Sequence, residues 1–323
     1  MTSGMGTDAI HLDAVSRAFG DVRAVDRLDL AIPPGSVAVL LGPNGAGKTT
    51  TVRLITGALS ADAGAIRVLG MDPLDAGEDL RLRCGVVPPK PALYDQLTGA
   101  ENLRFAADIY RVARTSIHEA AARFGIDHAL RLKVGGYSTG MRTRLALARA
   151  VLHDPDVLLL DEPTAGLDPE SARAVLDLIR DLAGRGRTIV MCTHLLHEAE
   201  GIADQVVLMG AGTARAAGKP GELAARYLGE PIVVIDAQDR SLLGPLEHQP
   251  GVVSASWNGA LHLRLESLAV LPDLVARAVA DGARLTRVEP QEASLETLYF
   301  EMQRQMRDET QRREETQSPG RAP

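Results

Sequence analysis

Gly42-Pro43-Asn44-Gly45-Ala46-Gly47-Lys48-Thr49 matches the pattern G-x-x-x-x-G-K-[ST] without a mismatch. The chemistry open to such a run is phosphate capture. Its glycines let the backbone curl so that N–H groups point inward at phosphate oxygens. A helix opening at the end of the loop adds partial positive charge at the same place. Lys48 is expected to reach the β- and γ-phosphates of a nucleotide, and Thr49, followed by Thr50, to ligate Mg²⁺. A second run, Val157-Leu158-Leu159-Leu160-Asp161-Glu162, ends an apolar stretch in two acids. Asp161 would face the metal, and Glu162 would orient or activate water. The N-K-x-D pattern that reads guanine is missing, since the asparagines at 44, 102 and 258 stand in other contexts.

These groups need rigid elements behind them. Ser36–Leu41 reads as a buried strand feeding the glycine loop, and a helix runs from about Gly47 to Gly57. Val157–Asp161, Thr188–Cys192 and Gln205–Met209 are further apolar runs. Such runs alternating with helical patterns predict a parallel sheet covered on both faces. Between Pro91 and Leu152 the period changes. Leu103, Ala106, Ala107 and Tyr110 recur at helical spacing, as do Leu145, Ala148 and Leu152, which predicts a helical insertion between two strands. A Gly/Pro boundary follows near Tyr227–Glu230. Beyond it, strands are expected at Pro231–Asp236, Val252–Trp257, Leu261–Leu265 and Leu285–Val288, with a hairpin turn at Asn258-Gly259. Helices are expected at Leu268–Ala280 and Leu295–Met302. The polar, charged tail from Arg307 reads as disordered.

The chain has 323 residues, 45% hydrophobic and 24% charged, which is globular composition and suggests two domains. With 35 Lys and Arg against 42 Asp and Glu, the net charge is −7. That balance argues against a nucleic-acid partner, whose affinity rests on phosphate neutralisation. Cys84 and Cys192 lie in apolar stretches without metal spacing and read as buried, reduced thiols. Residues 1–10 show no signal-peptide pattern, and no apolar run approaches the ~18 residues of a membrane span.

Taken with the two runs above, further residues resemble one family closely, the ATP-binding subunits of ABC transporters. Tyr137-Ser138-Thr139-Gly140-Met141 is similar to that family's signature sequence. Ala165-Gly166-Leu167-Asp168 resembles its D-loop, and Thr193-His194 stands where the family keeps a switch histidine. Phe19 occupies the place of the aromatic that stacks on adenine. The resemblance covers about residues 10–228. It implies an α/β P-loop ATPase cassette (1–229) with an inserted helical subdomain (about 91–152), followed by a small C-terminal α+β domain (230–306) and a tail (307–323).

The resemblance also implies a mechanism. Two cassettes, identical or different, close head to tail on ATP and Mg²⁺. Ser138 and the helix from Gly140 face the partner's ATP, His194 contacts the γ-phosphate, and Asp168 couples the sites, although Asp168 before Pro169 is also a natural helix cap. A separate integral-membrane permease is implied, with docking around Pro88–Tyr110 through Leu93, Tyr94 and Leu97. The location is then cytoplasmic, on the inner face of the membrane, and the task export, in the manner of the drug-export (daunorubicin-resistance-like, ABC-2-type) branch. Alternatives are an ABC ATPase acting on ribosomes and a weakly catalytic nucleotide-gated module. Two departures favour slow hydrolysis. Pro89 stands where the family usually has Gln, and Thr139 where glycine is usual, with strain expected if that position needs positive φ.

Overall fold

A computed structural model describes residues 8–228, residues 230–291 and Tyr299. The chain divides into two compact units, Met1–Lys219 and Pro220–Pro323.

In the first unit, an antiparallel sheet pairs β1 (Ile10–Phe19) with β2 (Val22–Ile32) on one side and β4 (Ala63–Val68) on the other. The larger sheet holds β3 (Val37–Leu41), β5 (Cys84–Val87), β6 (Val157–Asp161), β7 (Thr188–Thr193), β8 (Gln205–Gly210) and β9 (Thr213–Gly218) in the order β5-β6-β7-β3-β8-β9. Its strands run parallel except β9, which turns back along β8. Every residue of β3, β6 and β7 is buried. This is why those strands read as unbroken apolar runs rather than alternating ones.

The helices of this unit are α1 (Lys48–Ile55), α2 (Gly77–Arg81), α3 (Gly99–Tyr110), α4 (Thr115–Arg123), α5 (Thr139–Val151), α6 (Pro169–Gly184) and α7 (Leu196–Ile202). α3, α4 and α5 all fall between β5 and β6, which are sheet neighbours, so the helical insertion is present. Thr98 and Glu101 cap α3 reciprocally. The Thr98 hydroxyl accepts the Glu101 N–H at 3.2 Å, and Glu101 Oε2 accepts the Thr98 N–H at 2.7 Å. The buried Tyr137 hydroxyl donates to the Ala129 carbonyl at 2.6 Å, which ties the turn before α5 into the insertion. A Cβ on Gly99 would lie 2.3 Å from that hydroxyl, so only glycine fits beneath it.

The second unit contains α8 (Pro220–Leu228) and a four-stranded antiparallel sheet. Its strands are β10 (Ile232–Ala237), β11 (Val252–Trp257), β12 (Leu261–Leu265) and β13 (Leu285–Gln291), in the order β11-β12-β10-β13. Val233, Ile235, Leu261, Leu263 and Leu265 alternate along β10 and β12 onto one face, where α9 (Leu271–Ala280) adds Leu274 and Ala278. The β11–β12 hairpin turns at Asn258-Gly259, with Gly259 at φ +72. The helix expected from Leu268 starts as a 3-10 turn at Leu268–Val270 and becomes α-helical only at Leu271, because Pro272 favours a new first turn there. Of the helix expected at Leu295–Met302 only Tyr299, which is helical, is described, and the tail from Arg307 lies outside the described residues.

Candidate active site

The sheet order places β6, β7 and β3 side by side, and the register pairs Asp161 with Cys192 and Leu41 with Thr193. Three chain segments therefore leave the sheet at neighbouring carboxyl ends, where parallel α/β sheets gather ligands. They are the glycine loop after β3, Asp161-Glu162 at the end of β6, and Thr193-His194 at the end of β7.

The loop threads a narrow path. A Cβ on Gly42 would approach the Met209 carbonyl to 2.4 Å, and one on Gly47 the Ala24 carbonyl to 2.4 Å. Gly45 and Gly47 both have positive φ, +83 and +102. Gly47 opens α1 without a side-chain cap, so first-turn N–H groups remain for a ligand. Asn44 and Gly45 are exposed at the rim, Pro43, Thr49 and Thr50 are half-buried, and Ala46 is buried. Lys48 is only 5% exposed. Its Nζ donates to the carbonyls of Gly42 at 2.7 Å and Pro43 at 3.2 Å and sits 3.7 Å from Glu162 Oε1. The other Glu162 oxygen accepts from His194 Nδ1 at 2.9 Å. Glu162 thus bridges the loop lysine and the histidine of β7. It does so from a left-handed backbone, φ +53, a conformation that costs a non-glycine residue about 1 kcal/mol or more.

Asp161 is 2% exposed, and neither carboxylate oxygen has a hydrogen-bond partner among the described residues. Burial raises its pKa; the Thr49 hydroxyl, close but outside hydrogen-bond geometry, opposes that shift, and the Glu162 charge adds to it. Phe19 ends β1 with its ring 45% exposed and the Arg17 guanidinium 5.1 Å from its centroid.

The remaining predicted site residues hold their own helices. Ser138 Oγ accepts the Met141 N–H at 3.2 Å and caps α5, which opens at Thr139, one residue before Gly140. Asp168 is exposed and accepts the Ser171 N–H at 3.0 Å, capping α6 with Pro169 at its start; that bond lowers its pKa. Gly140 faces Ser171, so the two helix starts pack together. Among the described residues, no hydrogen bond or ion pair joins Ser138, Gly140 or Asp168 to the glycine loop.

A model of the ABC transporter family matches residues 25–165. A daunorubicin resistance ATP-binding protein of Streptomyces coeruleorubidus is 40% identical over 72% of this chain and 74% of its own length. The chain belongs to the ATP-binding subunits of ABC transporters. A fluoroquinolones export ATP-binding protein of Mycobacterium tuberculosis is 38% identical over 68% of this chain and 73% of its own. The fold agrees with a solved ATP-binding subunit of an ABC transporter at TM-score 0.63 and 28% identity, covering 68% of this chain and 93% of that one. Members of this family bind and hydrolyse ATP, and this subunit is an ATPase.

The ABC subunit's residues fit a hydrated magnesium ion. Two buried, unpartnered Asp161 oxygens beside a threonine hydroxyl supply the hard oxygen donors that such an ion takes together with substrate phosphates. One expectation changes. Thr139 is the first residue of α5 and is not among the residues with positive φ, so the strain considered for it does not arise. Pro89 and Thr139 nonetheless share a setting, because both line one cleft with Glu162 and Arg142. Sequence reasoning missed Arg142, which pairs with Asp95 at 2.8 Å, and Arg17 beneath Phe19. The i, i+2 spacing of Arg17 and Phe19 on a strand was the available signal for the second. Both cysteines are free and buried, and burial pushes the Cys84 thiol up to about 12.

Proposed function

We propose that this ATPase subunit closes on ATP together with a second cassette and drives export through a separate integral-membrane permease, the cargo being a drug-like or hydrophobic compound. The observation that carries the catalytic part is Glu162, held between Lys48 at 3.7 Å and His194 at 2.9 Å beside the uncapped start of α1. Main-chain N–H groups of the loop from Gly42 to Thr50 and the Lys48 ammonium hold the triphosphate, and Phe19 stacks on adenine. Glu162 accepts a proton from water as the water oxygen bonds the γ-phosphorus and the bond to the bridging oxygen breaks, leaving ADP and phosphate. His194 orients Glu162 and the γ-phosphate. Thr49 and Asp161 would hold magnesium, which supplies charge neutralisation at the phosphates.

In this reading Ser138 and the α5 start reach the partner cassette's ATP, and Asp168 links the two sites. Residues 1–229 act as the cassette and 230–306 as an accessory domain that regulates closure. Export is supported by the drug-resistance and export proteins the chain resembles. The proposed docking face carries exposed Tyr94 packed edge-on to Phe105, ring centroids 5.4 Å apart, while Leu93 and Leu97 are half-buried and support it. Among the described residues, no helix is long and apolar enough to cross a membrane. The membrane step is therefore assigned to the permease, with this subunit on the inner membrane face.

The test is affinity purification of the chain from detergent-solubilised cells. Co-purification of an integral-membrane protein, weakened by Tyr94→Ala, is the expected result. Ribosomal RNA in its place would contradict the reading and favour the ribosomal alternative.

A further inference from the structure

We propose that Arg17 is a positioning residue for the nucleotide base: it seals one face of the Phe19 ring and presents the other. The proposal rests on the reading above that Phe19 stacks on adenine.

Arg17 and Phe19 are two apart at the end of β1. The guanidinium carbon lies 5.1 Å from the ring centroid, within cation–π range. The ring stands near the tip of the β1–β2 hairpin, where Phe19 pairs with Val22, and it is 45% exposed. Alone, such a ring would sample several rotamers, and ordering it would oppose binding.

The guanidinium is itself anchored. One Arg17 terminal nitrogen donates to Asp62 Oδ1 at 2.8 Å and to the Ser60 carbonyl at 3.2 Å. The other Asp62 oxygen accepts the Ala18 N–H at 2.7 Å, and the Asp62 N–H donates to the Ser16 carbonyl at 2.8 Å. One carboxylate therefore holds both the side chain under the ring and the strand between Arg17 and Phe19. Arg17 Nε is buried without a hydrogen-bond partner among the described residues.

Asp62 lies between α1, which opens at the glycine loop, and β4. On the other side of the hairpin, the Ala24 carbonyl marks the wall that forbids a side chain at Gly47. The β1–β2 hairpin that carries the ring therefore also walls the glycine loop at Gly47. A base on the open face of Phe19 would meet a ring already oriented for it.

The experiment is isothermal titration of the full chain, with magnesium, using ATP and, separately, inorganic triphosphate, which has no base. Wild type is compared with Arg17→Ala, Arg17→Lys and Phe19→Ala. The expected result is an ATP affinity lowered about two- to fivefold in Arg17→Ala, the fold-change of a partly exposed cation–π contact. Arg17→Lys should recover most of that loss, Phe19→Ala should lose at least as much as Arg17→Ala, and triphosphate affinity should stay unchanged throughout. If Phe19→Ala weakens ATP while Arg17→Ala does not, the positioning role is overturned and the stacking reading stands. If Phe19→Ala binds ATP like wild type, the stacking reading fails and this proposal fails with it. Equal losses for ATP and triphosphate in Arg17→Ala, or no recovery with lysine, would also overturn it.

Discussion

Two helix starts in the first unit differ in how they are capped. α1 begins after the buried Gly47, with no side-chain cap and a buried lysine folded back onto the loop carbonyls. α5 begins at Ser138 in the open, with one N–H already taken by the serine hydroxyl. A helix start kept free of its own caps retains donors for an anion, at a cost to the helix that a ligand can recover. A capped, exposed start is a stable helix first. The glycine loop is therefore proposed as a half-site finished within one chain, and the α5 start as the half that acts on another.

The largest effect should come from breaking the finished half. Glu162→Gln removes the proposed proton acceptor while keeping shape, so turnover should fall by about 100-fold or more with ATP affinity retained. A small loss in steady-state phosphate release would assign the proton to another group.

Next comes a direct contrast of the two helix starts. Gly47→Ala would place a Cβ 2.4 Å from a main-chain carbonyl at φ +102, and should cost about 2–4 kcal/mol. At Gly140 the nearest atom to a Cβ is 3.5 Å away, so Gly140→Ala should change stability by no more than ~0.5 kcal/mol. Urea unfolding of both variants measures this, and equal losses would erase the distinction between a threaded loop and an open helix start.

The cleft that joins the two regions gives a smaller, opposite effect. Pro89 has no amide to orient water beside Glu162, so Pro89→Gln should raise turnover about fivefold, the rate equivalent of roughly one hydrogen bond. Unchanged turnover would make Pro89 neutral.

The smallest effect lies at the other end of α5. His153 stacks on Tyr110 with ring centroids 3.8 Å apart and hydrogen-bonds the Cys84 carbonyl through Nε2 at 3.1 Å, leaving Nδ1 buried and unpartnered. Burial lowers its pKa. Above the unfolded value of about 6.5 both states are neutral and the stability is fully present. As pH falls below that value the unfolded chain takes up the proton first, so stability declines until the folded pKa is passed. Urea midpoints at pH 7.5 and 5.5 should separate less in His153→Phe than in wild type; equal separation would remove His153 as a cause.

The loop–helix geometry of the proposed phosphate half-site was legible because its residues are local in sequence, and β6, β11 and β12 were read to the residue because apolar runs and an Asn-Gly turn mark them. The β2-β1-β4 sheet was not read. Ala14 and Arg27 take positive φ, and β1 shifts register against β2 after Leu12, Val15 and Arg17, which breaks the alternation that would have revealed a strand. The left-handed backbone of Glu162 was also invisible, since nothing in its residue type favours that conformation. Asp168 illustrates a residue whose local role, capping α6, was readable and whose proposed wider role depends on a second chain.

Equilibrium dialysis of labelled ATP against the purified chain with magnesium tests the central claim most directly. One ATP should be retained per chain at saturation, and Lys48→Ala should lose most of that uptake while remaining folded. No uptake by wild type, or undiminished uptake by Lys48→Ala, would contradict a triphosphate site built from the glycine loop and its lysine.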